Sequence, residues 1–186
     1  MIAIVTVSSA YLARREAKDW GIVYVPLLYT IRSEEFAEKF ADENQDITSV
    51  IRSGEAGHTS QAPMDSFLRV FRKLRGQGYE VLCITMSSRL SGMYNNAWVC
   101  AQSLEDDGIE VVDSLATAGQ LKLLLEQAHW AVSQGMSLQQ AANHVRSLRG
   151  RVHTVFSVDD MAPLRRSGRL GAVKLSVSTI LNIKPI

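Results

Sequence analysis

The chain is short of most features that would place a protein quickly in a function class. Of its 186 residues only two are cysteine, Cys83 and Cys100, and neither has a Cys or His partner at metal-ligand spacing. That spacing excludes a structural zinc site, and two thiols are too few for a disulfide framework. Both sit in apolar stretches and read as reduced core residues, since free cysteine is among the most buried residue types. An excess of charge is also missing: 20 basic side chains against 19 acidic leave a formal net charge of +1. So balanced a surface offers no broad field for nucleic acid or an anionic membrane. No apolar run approaches the roughly 20 residues that span a bilayer. The N-terminus lacks the basic start and small-residue cleavage site of a signal peptide, so a cytoplasmic location is expected. Neither a Gly-x-Gly-x-x-Gly nor a Walker-type glycine run follows any apolar segment, which argues against a nucleotide-binding enzyme. A Gly-x-Ser-x-Gly elbow is absent too, and only His58 and His153 lie near expected turns or strand edges, which argues against a serine hydrolase.

What is present is alternation. Ile2 to Thr6 is almost wholly apolar, as suits a strand covered on both faces. Ser8 and Ser9 then turn into a helix expected to end near Trp20, with Gly21 as its stop. Ile22 to Leu28 reads as a second strand that Pro26 confines to an edge or ends early. From Ser33 to Glu43, Phe36 and Phe40 at helical spacing predict a short surface helix, and Asp46-Ile47-Thr48 starts another that Gly54 and Gly57 close. A helix carrying Phe67, Leu68, Phe71 and Leu74 on one face leads to a buried strand from Val81 to Thr85. Met93, Ala97, Cys100, Ala101 and Leu104 mark the next helix. Ile109 to Asp113 is a strand, Gly119 a turn, and Leu121 to Val132 a long helix stopped by Gly135. Ser137 and Gln140 form a capping box for a helix reaching about Leu148. A strand from Arg151 to Val158, a helix start at Asp159-Asp160 and a helix from Ala172 to Leu181 complete the reading. The whole predicts an α/β fold, a parallel-sheet Rossmann-like domain with helices on both faces.

Two loops carry the functional signal. In Thr85-Met86-Ser87-Ser88-Arg89-Leu90-Ser91-Gly92-Met93-Tyr94 the position of Ser91 is that of a helix N-cap. Such a serine serves either as a plain cap or, with the free N–H groups of the helix start, as part of an anion site. In His58-Thr59-Ser60-Gln61-Ala62-Pro63 a second hydroxyl, Thr59, is expected at a helix entrance. Ser8 and Ser9, Thr59 and Ser60, and Ser87 to Gly92 would gather at the carboxyl edge of a parallel sheet, where ligands bind. Hydroxyls and free N–H groups suit a carboxylate, because charge-assisted hydrogen bonds are the stronger ones.

Together with the opening Ile2–Ala10, these loops resemble the DegV family of bacterial fatty-acid-binding proteins. The resemblance continues through Val111-Val112-Asp113-Ser114, His153–Asp160, Arg166-Ser167-Gly168-Arg169 and Leu181–Ile186, in the family's order. It implies a complete first domain over residues 1–150, with 151–186 as the opening part of a second α/β domain, the lipid lying between the two. It also implies a non-catalytic carrier of a long-chain fatty acid, without cofactor or metal, that presents the carboxylate to a partner fatty-acid kinase. Thr59 and Ser91 are the implied head-group contacts, with Ser8, Ser9, Ser60, Ser88 and Gly92 around them. The chain departs from the family at Val7 and Tyr11, where acids are usual, and at Ala13, where Pro is usual. Val cannot order neighbouring loops by hydrogen bonding as Asp can, so the site is expected to be weakened but not abolished.

Two further expectations attach to the C-terminal part. Val155, Phe156, Leu175, Ile180 and Leu181 would lack cover in an incomplete domain, which favours self-association. Arg165, Arg166 and Arg169 form the densest basic group, either a solvated helix end or a docking surface for an acidic partner. The competing reading for the whole chain is a truncated interaction module or remnant that no longer binds lipid.

Overall fold

The computed structural model describes residues 1–31, 33–43, 57–154 and 162–169. The chain divides into two compact units, Met1–Val152 and His153–Ile186. In the first, β1 (Ile2–Val7), β2 (Ile22–Val25), β6 (Glu80–Thr85) and β7 (Ile109–Asp113) form a parallel sheet in the order β2-β1-β6-β7. Ala3 to Val7 and Val81 to Thr85 are buried at every position. Because successive strand residues point to opposite faces, unbroken burial means that both faces of the sheet centre are covered. The cover is helical: α2 (Met64–Gly76) packs on α3 (Met93–Gln102), and α4 (Ala118–Ser133) packs on α5 (Leu138–Leu148). An ion pair of 2.5 Å between Lys122 and Glu16 ties α4 to α1 (Arg14–Asp19). The α/β architecture with helices on both faces agrees with the sequence.

Several local expectations do not hold, and the reasons are physical. No single helix runs from Ser8 to Trp20. Ser8–Ala10 is one 3-10 turn, and Tyr11 adopts a left-handed φ of 50° before α1 begins. Pro26 divides the second strand, so Leu28–Ile31 becomes β3 of a separate antiparallel sheet with β4 (Glu34–Ala37) and β5 (His58–Ser60), in the order β4-β3-β5. Where a helix was expected from Ser33 to Glu43, Glu34–Ala37 is therefore a hairpin strand and residues 38–43 are loop and turn. Phe36 stacks on its cross-strand partner Tyr29 at 5.5 Å, and Phe40 stacks on Tyr24 at 4.5 Å. Spacing that resembled a helix face thus serves two ring pairs, which strands accommodate well. Gly119 belongs to α4 and not to a turn. Arg151–Thr154 form no strand. The helix starts at Asp46 and Asp159, the rest of the Arg151–Val158 segment and the Ala172–Leu181 helix fall outside the described residues. In the second unit α6 (Ala162–Arg166) ends in a turn where Gly168 has φ 72°, with Arg165, Arg166 and Arg169 exposed.

The capping box of α5 is present as expected: Gln140 N–H donates to Ser137 Oγ at 3.3 Å, and Ser137 N–H donates to Gln140 Oε1 at 2.9 Å. Ser137→Ala should cost about 1 kcal/mol, lowering Tm by roughly 2–4 °C in calorimetry. An unchanged Tm would show that α5 is held only by its buried face of Leu138, Ala141, Ala142 and Val145.

Candidate functional site

The sheet order fixes where a ligand can approach. From β1 the chain moves outward to β2, and from β6 it moves outward the other way to β7, so the order reverses between β1 and β6. At such a switch point the loops leaving the two strands diverge and open a crevice at the carboxyl edge. Those loops are Ser8–Ala10 and Met86–Gly92, the serine-rich segments singled out in the sequence.

The loop after β6 is held in several ways. Ser87 N–H donates to Ala116 O at 2.8 Å, and Leu90 and Ser91 N–H donate back to Ser87 O at 3.0 and 3.1 Å. Ser87 Oγ accepts from Arg89 N–H at 3.2 Å. Asp113, at the end of β7, accepts from Ser88 N–H at 3.1 Å and Leu115 N–H at 3.0 Å through one oxygen. A strand-end carboxylate thus organises two loops at once.

The segment after β5 is fastened to α3. Ala62 N–H donates to Met93 Sδ at 3.1 Å, Asn96 Nδ2 to Ala62 O at 3.2 Å, and Cys100 Sγ to Met64 O at 3.3 Å. Gly92 allows the closest approach, because a Cβ there would collide with the side-chain amide of Gln61. Its φ of −74° is open to any residue, so it is the missing side chain that matters. The two motifs, far apart in sequence, therefore meet at the start of α3.

Two expected roles change in detail. Ser91 is not the N-cap of α3; Gly92 is, and no side chain caps that helix. Thr59 is not at a helix entrance. It lies exposed in β5, four residues before the Pro63 cap of α2, paired in register with Tyr29. Tyr29 also pairs with Phe36, and cross-strand partners share a face, so Thr59 stands in one row with two stacked rings. Those rings, with Tyr24, Phe40, Arg14 and Glu38, line a cavity of about 450 Å³.

The remaining candidates fall into distinct settings. Ser60 and Ser88 are exposed and Ser91 is half-buried. Ser8 is buried and its Oγ accepts from Leu27 N–H at 2.8 Å, so this hydroxyl serves the turn between β2 and β3. Ser9 is buried beside it. Among the described residues neither Thr59 Oγ1 nor Ser91 Oγ has a hydrogen-bond partner. Both cysteines are buried, and burial pushes both thiols up, so neither supplies a thiolate. Among the described residues no His, Cys, Asp and Glu group could hold a metal ion, and no helix is long and apolar enough to cross a membrane. Chemically the edge offers hydroxyls and helix-start N–H groups, a donor set for an anion. Sequence reasoning underrated Gln61 and Asp113, although both stand inside quoted motifs.

The family model described as an uncharacterised protein of the DegV family matches residues 1–186. A DegV domain-containing protein of Halalkalibacterium halodurans is 34% identical over 189 residues, covering 100% of this chain and 66% of that protein. Among solved structures, one described as fatty acid binding of a DegV family protein from Thermus thermophilus matches with a TM-score of 0.84. It is 30% identical, over 99% of this chain and 66% of that one. A stearic-acid-binding protein from Eubacterium ventriosum matches with a TM-score of 0.81 and 26% identity, over 100% of this chain and 66% of that one. The chain thus spans 66% of the length of these relatives.

The Gln61–Gly92 contact yields a test. Gly92→Ala should cost about 1 kcal/mol, part because alanine caps a helix less well than glycine and part because the exposed Gln61 amide must swing aside. Adding Gln61→Ala should remove the second part in a double-mutant cycle. A large loss that Gln61→Ala does not relieve would locate the crowding in the backbone.

Proposed function

The chain belongs to the DegV family, and on that premise we propose that the protein binds a long-chain fatty acid whose carboxylate is held at the switch point by Thr59, Ser91 and the first N–H groups of α3. The observation that carries this reading is the approach of Gln61 to Gly92, which draws the Thr59 and Ser91 segments to one place. An ionised carboxylate accepts through two oxygens, so two hydroxyl donors from different loops can share it. The positive end of α3 adds to the same attraction. Beside Thr59, the row of Tyr29 and Phe36 offers apolar surface to the first methylenes of the chain. Ser60 and Ser88 border the head group, while Ser8 shapes the turn behind it.

The role is that of a carrier. No nucleophile with a positioned base is part of the donor set, and an anion held by neutral donors is shielded without being activated. We infer that residues 151–186 correspond to the opening of the family's second domain and that the bound carboxylate is presented to a partner kinase, as the family resemblance implies.

Thr59→Ala or Ser91→Ala should each weaken fatty-acid binding by about 1.5–3 kcal/mol, roughly ten- to a hundredfold, in a calorimetric titration. The double variant should lose less than the sum, because both donors serve one anion. Ser133→Ala, on the exposed end of α4, should bind like the parent. Native mass spectrometry of the purified protein should show a co-purifying fatty acid; a bound nucleotide, or unchanged affinity in both threonine and serine variants, would contradict the assignment.

A further inference from the structure

Two hydroxyls at the switch point lack what buried hydroxyls normally have. Among the described residues, Ser9 Oγ and Thr85 Oγ1 are the buried side-chain polar atoms without a hydrogen-bond partner. Thr85 is 0% exposed and Ser9 7%. Burying a hydroxyl unmet is costly, and native proteins keep few such groups, so each calls for an explanation. Here both lie at the carboxyl ends of adjacent strands, Thr85 as the last residue of β6 and Ser9 two residues after β1.

The direction of Thr85 follows from the register. Val5 lies beside Cys83 and Thr6 beside Ile84, so Val7 and Thr85 are level at the end of the pair. Alternation puts Thr85 on the same face as Cys83. That face is the one covered by α3, which packs against β6 and β7 and whose Cys100 lies near Cys83. Thr85 therefore projects at the sheet edge toward the layer in which α3 begins. Its neighbours in register are Val7 on β1, wholly buried and unable to accept a hydrogen bond, and Asp113 on β7, whose carboxylate accepts from Ser88 and Leu115 N–H and not from Thr85. Thr85 O is occupied by Ser114 N–H at 3.2 Å, whereas the hydroxyl is not.

We propose that Thr85, and with it Ser9, are further binding residues of the head-group site, each hydroxyl donating to the carboxylate from its own strand end. The inference rests on the fatty-acid reading above and extends it: Thr59 and Ser91 grip the anion from the outer loops, and Thr85 and Ser9 from the strand ends. A carboxylate oxygen would supply the acceptor that both hydroxyls lack. An internal water would relieve them equally, and the two cases differ in sign.

The test uses Thr85→Val, which keeps the branched shape and removes the hydroxyl, with Ser9→Ala beside it and palmitate as the probe. If the hydroxyls are unmet until ligand arrives, each variant should melt a few degrees higher than the parent without ligand. Each should also bind palmitate about tenfold more weakly. Thr85→Ser retains the hydroxyl and should recover binding even if the valine variant folds poorly. A raised Tm with unchanged affinity would overturn the inference, and so would a lowered Tm, which means that the hydroxyl already has an internal partner such as water. Failure of the parent to bind palmitate at all would instead sink the fatty-acid reading, and this inference with it.

Discussion

The burial of β1 and β6 on both faces is the constraint on which the rest of this structure depends. A sheet centre sealed above and below by helices leaves no face for a ligand, so binding is confined to the edge where the strands end. The reversal of strand order between β1 and β6 then selects one place on that edge. Everything the chain offers there is short: a single turn after β1, a loop after β6 pinned by Asp113, and the segment after β5 fastened to α3. Rigid elements carry the proposed site, and the loops have little freedom to misplace it.

The donor set is consistent with the near-neutral charge of the chain. A formal net charge of +1 gives no long-range pull on an anion. The proposed site therefore relies on short-range geometry, with hydroxyls and helix-start N–H groups that cost little to solvate when empty and strengthen when a charged acceptor is bound. Such a site has no need of a lysine or arginine that would also attract unrelated anions. Its weakness is the same as its economy, since each missing donor removes a large share of the grip.

The parallel sheet, its covering helices and the capping box of α5 were legible because each leaves a local periodic or paired mark: unbroken apolar runs, a repeating helix face, Ser137 with Gln140. The second sheet was not. Phe36 and Phe40 sit at helical spacing, and only their ring partners Tyr29 and Tyr24, brought in by tertiary pairing, show them to be strand and loop residues. Thr59 was singled out by motif but expected at a helix entrance, because β5 is three residues long and pairs with a strand remote in sequence. Thr85 looked like the last residue of a buried strand, which it is. Its unmet hydroxyl is a property of what surrounds it in space and has no sequence signature.

The central claim is that this edge recognises a carboxylate, and comparing an acid with its alcohol tests it most directly. Palmitate and hexadecanol share the same apolar chain and differ in the charged head group alone. Calorimetric titration of the protein with each, at neutral pH, should show the acid binding at least about tenfold more tightly, the value of a hydrogen bond to a charged group over burial shared by both. Equal affinity for acid and alcohol would mean that the hydroxyl-lined edge does not hold the head group, and would contradict the account.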